Sequence, residues 1–194
     1  GNNSGIQIQV TAIEGDQLTF RVTYGDYTTA GVWDALGTSV STVGNSEPVI
    51  CTDPANGTVY AAYVEGDYSP YRVYVKKWNG TDWEQLGSAL QYTGLVMPEV
   101  AVCEGEVYLA VGCYGASEIY KLDNGNWIRI HTCPEVNRIQ LIVENNQIYA
   151  AYELYENSYY RLVITDLKTG ELITNNANEI KVQYTSGNAS VAYG

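Results

Sequence analysis

One short pattern returns along this chain at nearly even steps, and it constrains the fold more than any other feature. Asn56-Gly57-Thr58-Val59-Tyr60-Ala61-Ala62-Tyr63 is echoed by Gly105-Glu106-Val107-Tyr108-Leu109-Ala110-Val111 and by Asn146-Gln147-Ile148-Tyr149-Ala150-Ala151-Tyr152. A weaker echo runs from Gly187 to Tyr193, and a distant one from Gly15 to Arg21. The leading residues Gly15, Gly57, Gly105, Asn146 and Gly187 stand 42, 48, 41 and 41 residues apart. Each echo is a turn followed by β-branched and aromatic residues, the composition of a hairpin strand. A second series supports the first: Val32-Trp33-Asp34-Ala35-Leu36-Gly37 matches Asp82-Trp83-Glu84-Gln85-Leu86-Gly87, and Pro48 and Pro98 each follow those glycines by 11 residues.

The second unit predicts four strands: Glu47–Thr52, Thr58–Val64, Tyr71–Trp78 and about Trp83–Leu86. Turns fall at Asp53–Gly57 and Asn79-Gly80, with a longer loop over Glu65–Pro70. A four-stranded unit cannot cover both its faces alone, whereas units stacked side by side can. The fold expected is therefore all-β, a β-propeller of four-stranded antiparallel blades with about four to five units. Residues 1–194 read as one such domain, with units near 6–45, 46–96, 97–134, 135–177 and a partial 178–194. Trp33, Trp83 and Trp127, and Tyr63, Tyr152 and Tyr193, recur where they would pack between blades. The ends do not complete a ring: unit one lacks an obvious third strand, and the last unit holds only two. Either N-terminal strands complete the last blade or the chain is a piece of a longer protein, and the second reading is preferred.

The residues Pro48, Gly57, Tyr60, Ala62, Tyr63, Val75, Lys77, Trp78, Asn79, Gly80, Trp83, Leu86 and Gly87 form a pattern. It resembles a diffuse group of bacterial propeller repeats found in secreted proteins and lipoproteins. The match is good over 46–90, fair over 97–165 and poor at both ends. The resemblance implies an extracellular or cell-surface location. It carries no particular activity, because function lies in sites and not in the shared fold.

The chain of 194 residues carries a net charge of −12. Such a field repels a phosphate backbone, so nucleic acid is not an expected partner. No apolar run approaches the roughly 20 residues of a membrane helix, and no membrane insertion is expected. The polar start Gly1-Asn2-Asn3-Ser4-Gly5 reads as a trimmed mature end or a cloning remnant. Cys51, Cys103, Cys113 and Cys133 allow three disulfide connectivities, or none, and their spacing leaves the choice open.

Residues that would carry catalysis are sparse. His131 is the only histidine, which limits triad chemistry to one candidate, with Cys133 two residues away on the same strand face. A zinc site with several histidines is impossible, and no phosphate loop is present, so no cofactor or metal is expected. Asp123-Asn124-Gly125-Asn126-Trp127 resembles the Asp-box turn of sialidase-type propellers but is one residue short. The five arginines, Arg21, Arg72, Arg129, Arg138 and Arg161, show no triad motif. With 22 acidic residues, a carboxylate pair suited to glycoside hydrolysis is permitted by chance alone. Asn56 and Asn79 begin Asn-Gly-Thr sequons, which turn chemistry explains better.

Loop composition gives the remaining clue. The longer loops after each second strand carry Asp26 and Tyr27, then Asp67, Tyr68 and Tyr71, then Tyr114, then Tyr155, Glu156 and Tyr159. Tyr offers a flat apolar face and a hydroxyl at low ordering cost, which suits sugar rings and protein loops. The expectation is a non-enzymatic surface or secreted binding module taking a glycan or protein through this Tyr-rich face. Two alternatives are kept: a catalytic or accessory domain of a carbohydrate-active enzyme, and a structural spacer. The oligomeric state is not legible.

Overall fold

The computed structural model describes residues 6–14, 17–24, 39–41, 48–113, 117–134, 136, 138–156, 159–174 and 181–182. These residues contain strands and turns and no helix. The chain divides into two compact units, Gly1–Leu36 and Gly37–Gly194. Within the first, β1 (Ile6–Glu14) and β2 (Gln17–Tyr24) pair as an antiparallel hairpin, with an irregularity between Val10 and Ala12.

The second unit is three antiparallel sheets. Sheet I holds β3 (Val49–Thr52), β4 (Val59–Glu65), β5 (Tyr71–Trp78) and β6 (Trp83–Gln85) in chain order. β7 (Leu90–Tyr92) also pairs with β5. Sheet II holds β8 (Val96–Cys103), β9 (Glu106–Cys113), β10 (Ser117–Asp123) and β11 (Asn126–Cys133). Sheet III holds β12 (Ile139–Glu144), β13 (Gln147–Glu156), β14 (Tyr159–Asp166) and the two-residue β15 (Lys181–Val182).

The turn residues explain the tight connections. Glu104-Gly105, Asn124-Gly125 and Asn145-Asn146 all have positive φ at both positions. This is the turn whose twist matches that of the flanking strands. Asn56 and Asn79 work differently: the Asn56 side-chain oxygen accepts the Thr58 N–H at 2.9 Å, and that of Asn79 accepts those of Thr81 and Asp82, also at 2.9 Å.

Sheet II lies between the other two. Along β8 and β9, Val100, Val102, Val107, Leu109 and Val111 join a core with Tyr60, Ala62, Val73 and Val75 of sheet I. Their alternates Ala101, Cys103, Tyr108 and Ala110 join a core with Ile139, Ile148, Ala150 and Tyr152 of sheet III. Because both faces are covered, β9 is apolar almost throughout and does not alternate with polar residues. Each fully buried Val or Leu here contributes roughly 1.5–3 kcal/mol. Tyr152 is buried in the core between sheets II and III, and Tyr63 is buried and stacks on Tyr74. Trp127 packs against the core between sheets I and II. Trp83 makes an edge contact with Trp78 across the β5–β6 turn. Trp33 and Tyr193 lie outside the described residues.

Candidate functional site

The strand ends that lead into the loops after β4, β9 and β13 lie at one end of the three sheets, and hydrogen bonds fix this. Tyr92 pairs with Tyr71, the first residue of β5, and its hydroxyl lies 3.2 Å from a Glu118 carboxylate oxygen and 3.1 Å from the Tyr120 hydroxyl. Glu118 is the second residue of β10, so the loop ends of sheets I and II abut. Ser117, the first residue of β10, bonds through its hydroxyl to Val136 O at 2.9 Å. Val136 leads into Ile139, which pairs with Tyr152 near the end of β13. The loop end of sheet III therefore lies at the same side.

Tyr68 stands at the tip of the 66–70 loop and is 84% exposed. Gly66 makes that tip possible: its φ is +119°, and a Cβ there would meet Pro70 O and Tyr68 O at 3.2 Å. Asp67 beside it is exposed. Tyr155 is 61% exposed and its ring leans on half-buried Tyr160, with centroids 5.0 Å apart and planes at 50°. Tyr160, the strand partner of Tyr155, is thus its prop, a role the sequence did not single out. Tyr71 is half-buried and packs against the core between sheets I and II. Glu156 and Tyr159 pair across the β13–β14 hairpin. Asp26, Tyr27 and Tyr114 lie outside the described residues.

Glu118 is the carboxylate with the most bonds shown at this end. It accepts bonds from Tyr120 at 2.5 Å and from Arg129, which is 59% exposed as a side chain against 14% for Glu118. Burial pushes this carboxyl up, but the bonds from Tyr120, Arg129 and Tyr92 outweigh it and hold Glu118 below the usual carboxylate range. Burial, with the Tyr120 and Glu118 partners, holds the Tyr92 hydroxyl far above its ordinary value. This cluster ties sheet I to sheet II. Sequence inspection misses it, because its members come from different units.

Two of the thiols, Cys51 and Cys133, are held in the protonated, unreactive form. The four cysteines form no disulfide. Burial pushes Cys133 up to about 12, and burial with Glu99 and Asp53 does the same to Cys51. The thiolate is the reactive form, so neither thiol is activated. His131 and Cys133 do share a strand face, opposite Ile119 and Ser117, but the thiol is only 3% exposed. Among the described residues no three His, Cys, Asp or Glu side chains gather as a metal site, and no helix is long and apolar enough to cross a membrane. Neither a known family model nor a curated protein sequence matches the chain.

Proposed function

We propose that the three sheets are blades of a β-propeller in a secreted or surface protein, and that their loop end binds a glycan or a protein. Three features support the blade reading: strands in chain order within each sheet, face-to-face stacking, and repeat units that match the sheets except at β15, which falls in the partial unit 178–194 yet joins sheet III. The observation that carries the binding reading is Tyr68. A tyrosine 84% exposed on a loop pinned by Gly66 gives up the apolar burial its ring could gain. Tyr155, propped by Tyr160, offers a second exposed ring at the same end. Exposed aromatics on a rigid scaffold are what stacking against sugar rings or anchoring a protein loop requires. The Glu118 carboxylate at this end is already engaged in holding two sheets together, a structural role that supports the binding reading.

A glycan array probed with the folded protein and with Tyr68→Ala/Tyr155→Ala tests this. A hit that vanishes in the double variant supports a sugar site at the loop end. A blank array from folded protein rejects the sugar version and leaves a protein ligand, to be sought with the same variant as control.

A further inference from the structure

The hairpins of sheets I and II carry an indole where that of sheet III carries none, and the vacated place is open. The register makes the comparison direct. Tyr60 pairs with Lys77 in sheet I, and Tyr108 pairs with Lys121 at the same position in sheet II. One step nearer the turn, on the opposite face, stand Trp78 opposite Trp83 and Leu122 opposite Trp127. In sheet III, Leu167 holds the place of Leu122: its N–H bonds to Ile148 O at 2.9 Å, and Ile148 precedes Tyr149 as Val107 precedes Tyr108. But β14 ends at Asp166, and Gly170 turns the chain back, so that Leu172 returns opposite Thr165. The hairpin closes early and, among the described residues, no aromatic residue faces Leu167.

Between sheets I and II the indole of Trp127 fills the outer gap. It lies so close over Gly87 that a Cβ on that glycine would be 2.7 Å from the indole nitrogen. Between sheets II and III there is instead an open groove of about 550 Å³, walled by Tyr108, Lys121, Ile130 and Leu167. That volume is within the roughly 300–1,000 Å³ of small-molecule sites. Tyr108 and Lys121 are the register counterparts of Tyr60 and Lys77. Two ion pairs rim the groove, Lys121 with Glu106 and Lys168 with Glu104, each at 2.5 Å. Leu172, where the shortened hairpin returns, is 46% exposed.

We propose that this groove binds a planar aromatic group bearing an N–H or O–H donor, an indole or phenol, in the place the repeat elsewhere fills with its own tryptophan. Tyr108, Ile130 and Leu167 offer apolar surface to the ring, and the charged side chains of Glu104, Glu106, Lys121 and Lys168 complete the lining. The ammonium groups of Lys121 and Lys168 add cation–π attraction, and Glu104 and Glu106 have lone pairs left for the ring donor. The site does not depend on the loop-end reading, because Glu104 and Lys168 lie in turns at the other end of the sheets. The group could belong to a free molecule or to a partner's side chain.

The test is amide-resolved NMR titration with N-acetyltryptophanamide and with a capped pentapeptide carrying one Trp between glycines. Saturable millimolar shifts at Tyr108, Lys121, Ile130 and Leu167 are expected. They should be lost in Ile130→Trp, which fills the groove, and weakened severalfold in Lys168→Met. Absence of shifts at these residues in the folded protein overturns the site, as do shifts that survive both variants. Should Ile130→Trp fail to fold, Lys168→Met alone decides. Tighter binding of the pentapeptide points to a polypeptide source, and equal binding points to a free aromatic molecule.

Discussion

At the scale of single residues, the Ser117 hydroxyl at the loop end is tightly held by hydrogen bonds. It is fully buried. It accepts the Cys113 N–H at 3.1 Å and the Val136 N–H at 3.3 Å, and it can donate to Val136 O. One oxygen thus stitches the β9–β10 loop to the segment leading into sheet III. Ser117→Ala removes these buried hydrogen bonds and is expected to cost about 1–3 kcal/mol, read as a lower urea midpoint with unchanged slope. Nothing in Gly115-Ala116-Ser117 announces this, since the composition reads only as a loop. The thiols yield a second prediction. With Cys133 only 3% exposed and pushed up to about 12, an aromatic disulfide reagent at mildly alkaline pH should label it only as fast as the protein unfolds. Rapid labelling of Cys133 in the native protein would contradict the buried position of that thiol.

At the scale of elements, the second unit was largely readable. The strand predicted over Tyr71–Trp78 is β5, and those predicted over Thr58–Val64 and Trp83–Leu86 lie within a residue of β4 and β6. Period-two burial and turn residues carry that information locally. What escaped is β7, which resumes the outer strand after a break. Gly87, at φ +62°, makes the break, and Trp127 from the next sheet occupies the space beside it. A break set by a residue 40 positions away (Gly87 to Trp127) has no local signature. The Asp53 turn was read, yet its twin was not. Asp166 accepts Lys168 N–H at 2.8 Å and receives Gly170 N–H on its carbonyl at 2.8 Å, just as Asp53 accepts Ala55 N–H and Gly57 N–H. Only the Asp and Gly are shared, so the motif is sparse. Gly87→Ala should destabilise by more than Gly80→Ala. Both positions have positive φ, which costs an L-residue about 1–2 kcal/mol, but Gly80 faces open space while Gly87 meets the indole. Thermal melts of the pair measure the difference, and a change in tryptophan emission should accompany Gly87→Ala alone.

For the molecule as a whole, the repeat foretold antiparallel sheets that stack. The groove between sheets II and III stayed hidden, because it arises from a hairpin that closes early and not from any residue that is present. Two carboxylates, which the sequence does not tell apart, set opposing trends with pH. Glu118 lies below the usual range, so it stabilises the fold above its unfolded value and that contribution is lost as pH falls through its folded value. Glu99, half-buried on β8, is held above the usual range by burial, which Arg138 only partly offsets. Its protonated form is the one the fold favours. Its contribution is therefore present below its unfolded value and lost as pH rises through the folded value. Glu118→Gln is accordingly expected to lower the melting temperature at neutral pH, and by less in strong acid. Glu99→Gln should raise it at neutral pH, with the gain fading in mild acid, where wild-type Glu99 is already protonated. Each variant removes one negative charge from a chain at −12, so relief of general repulsion shifts both in the same direction. Opposite signs at neutral pH can then only come from the local surroundings of the two groups. Melting curves of the wild type and both variants across the acid range decide it: shifts of the same sign would mean that net charge, and not the inter-sheet cluster at Glu118, governs the acid response.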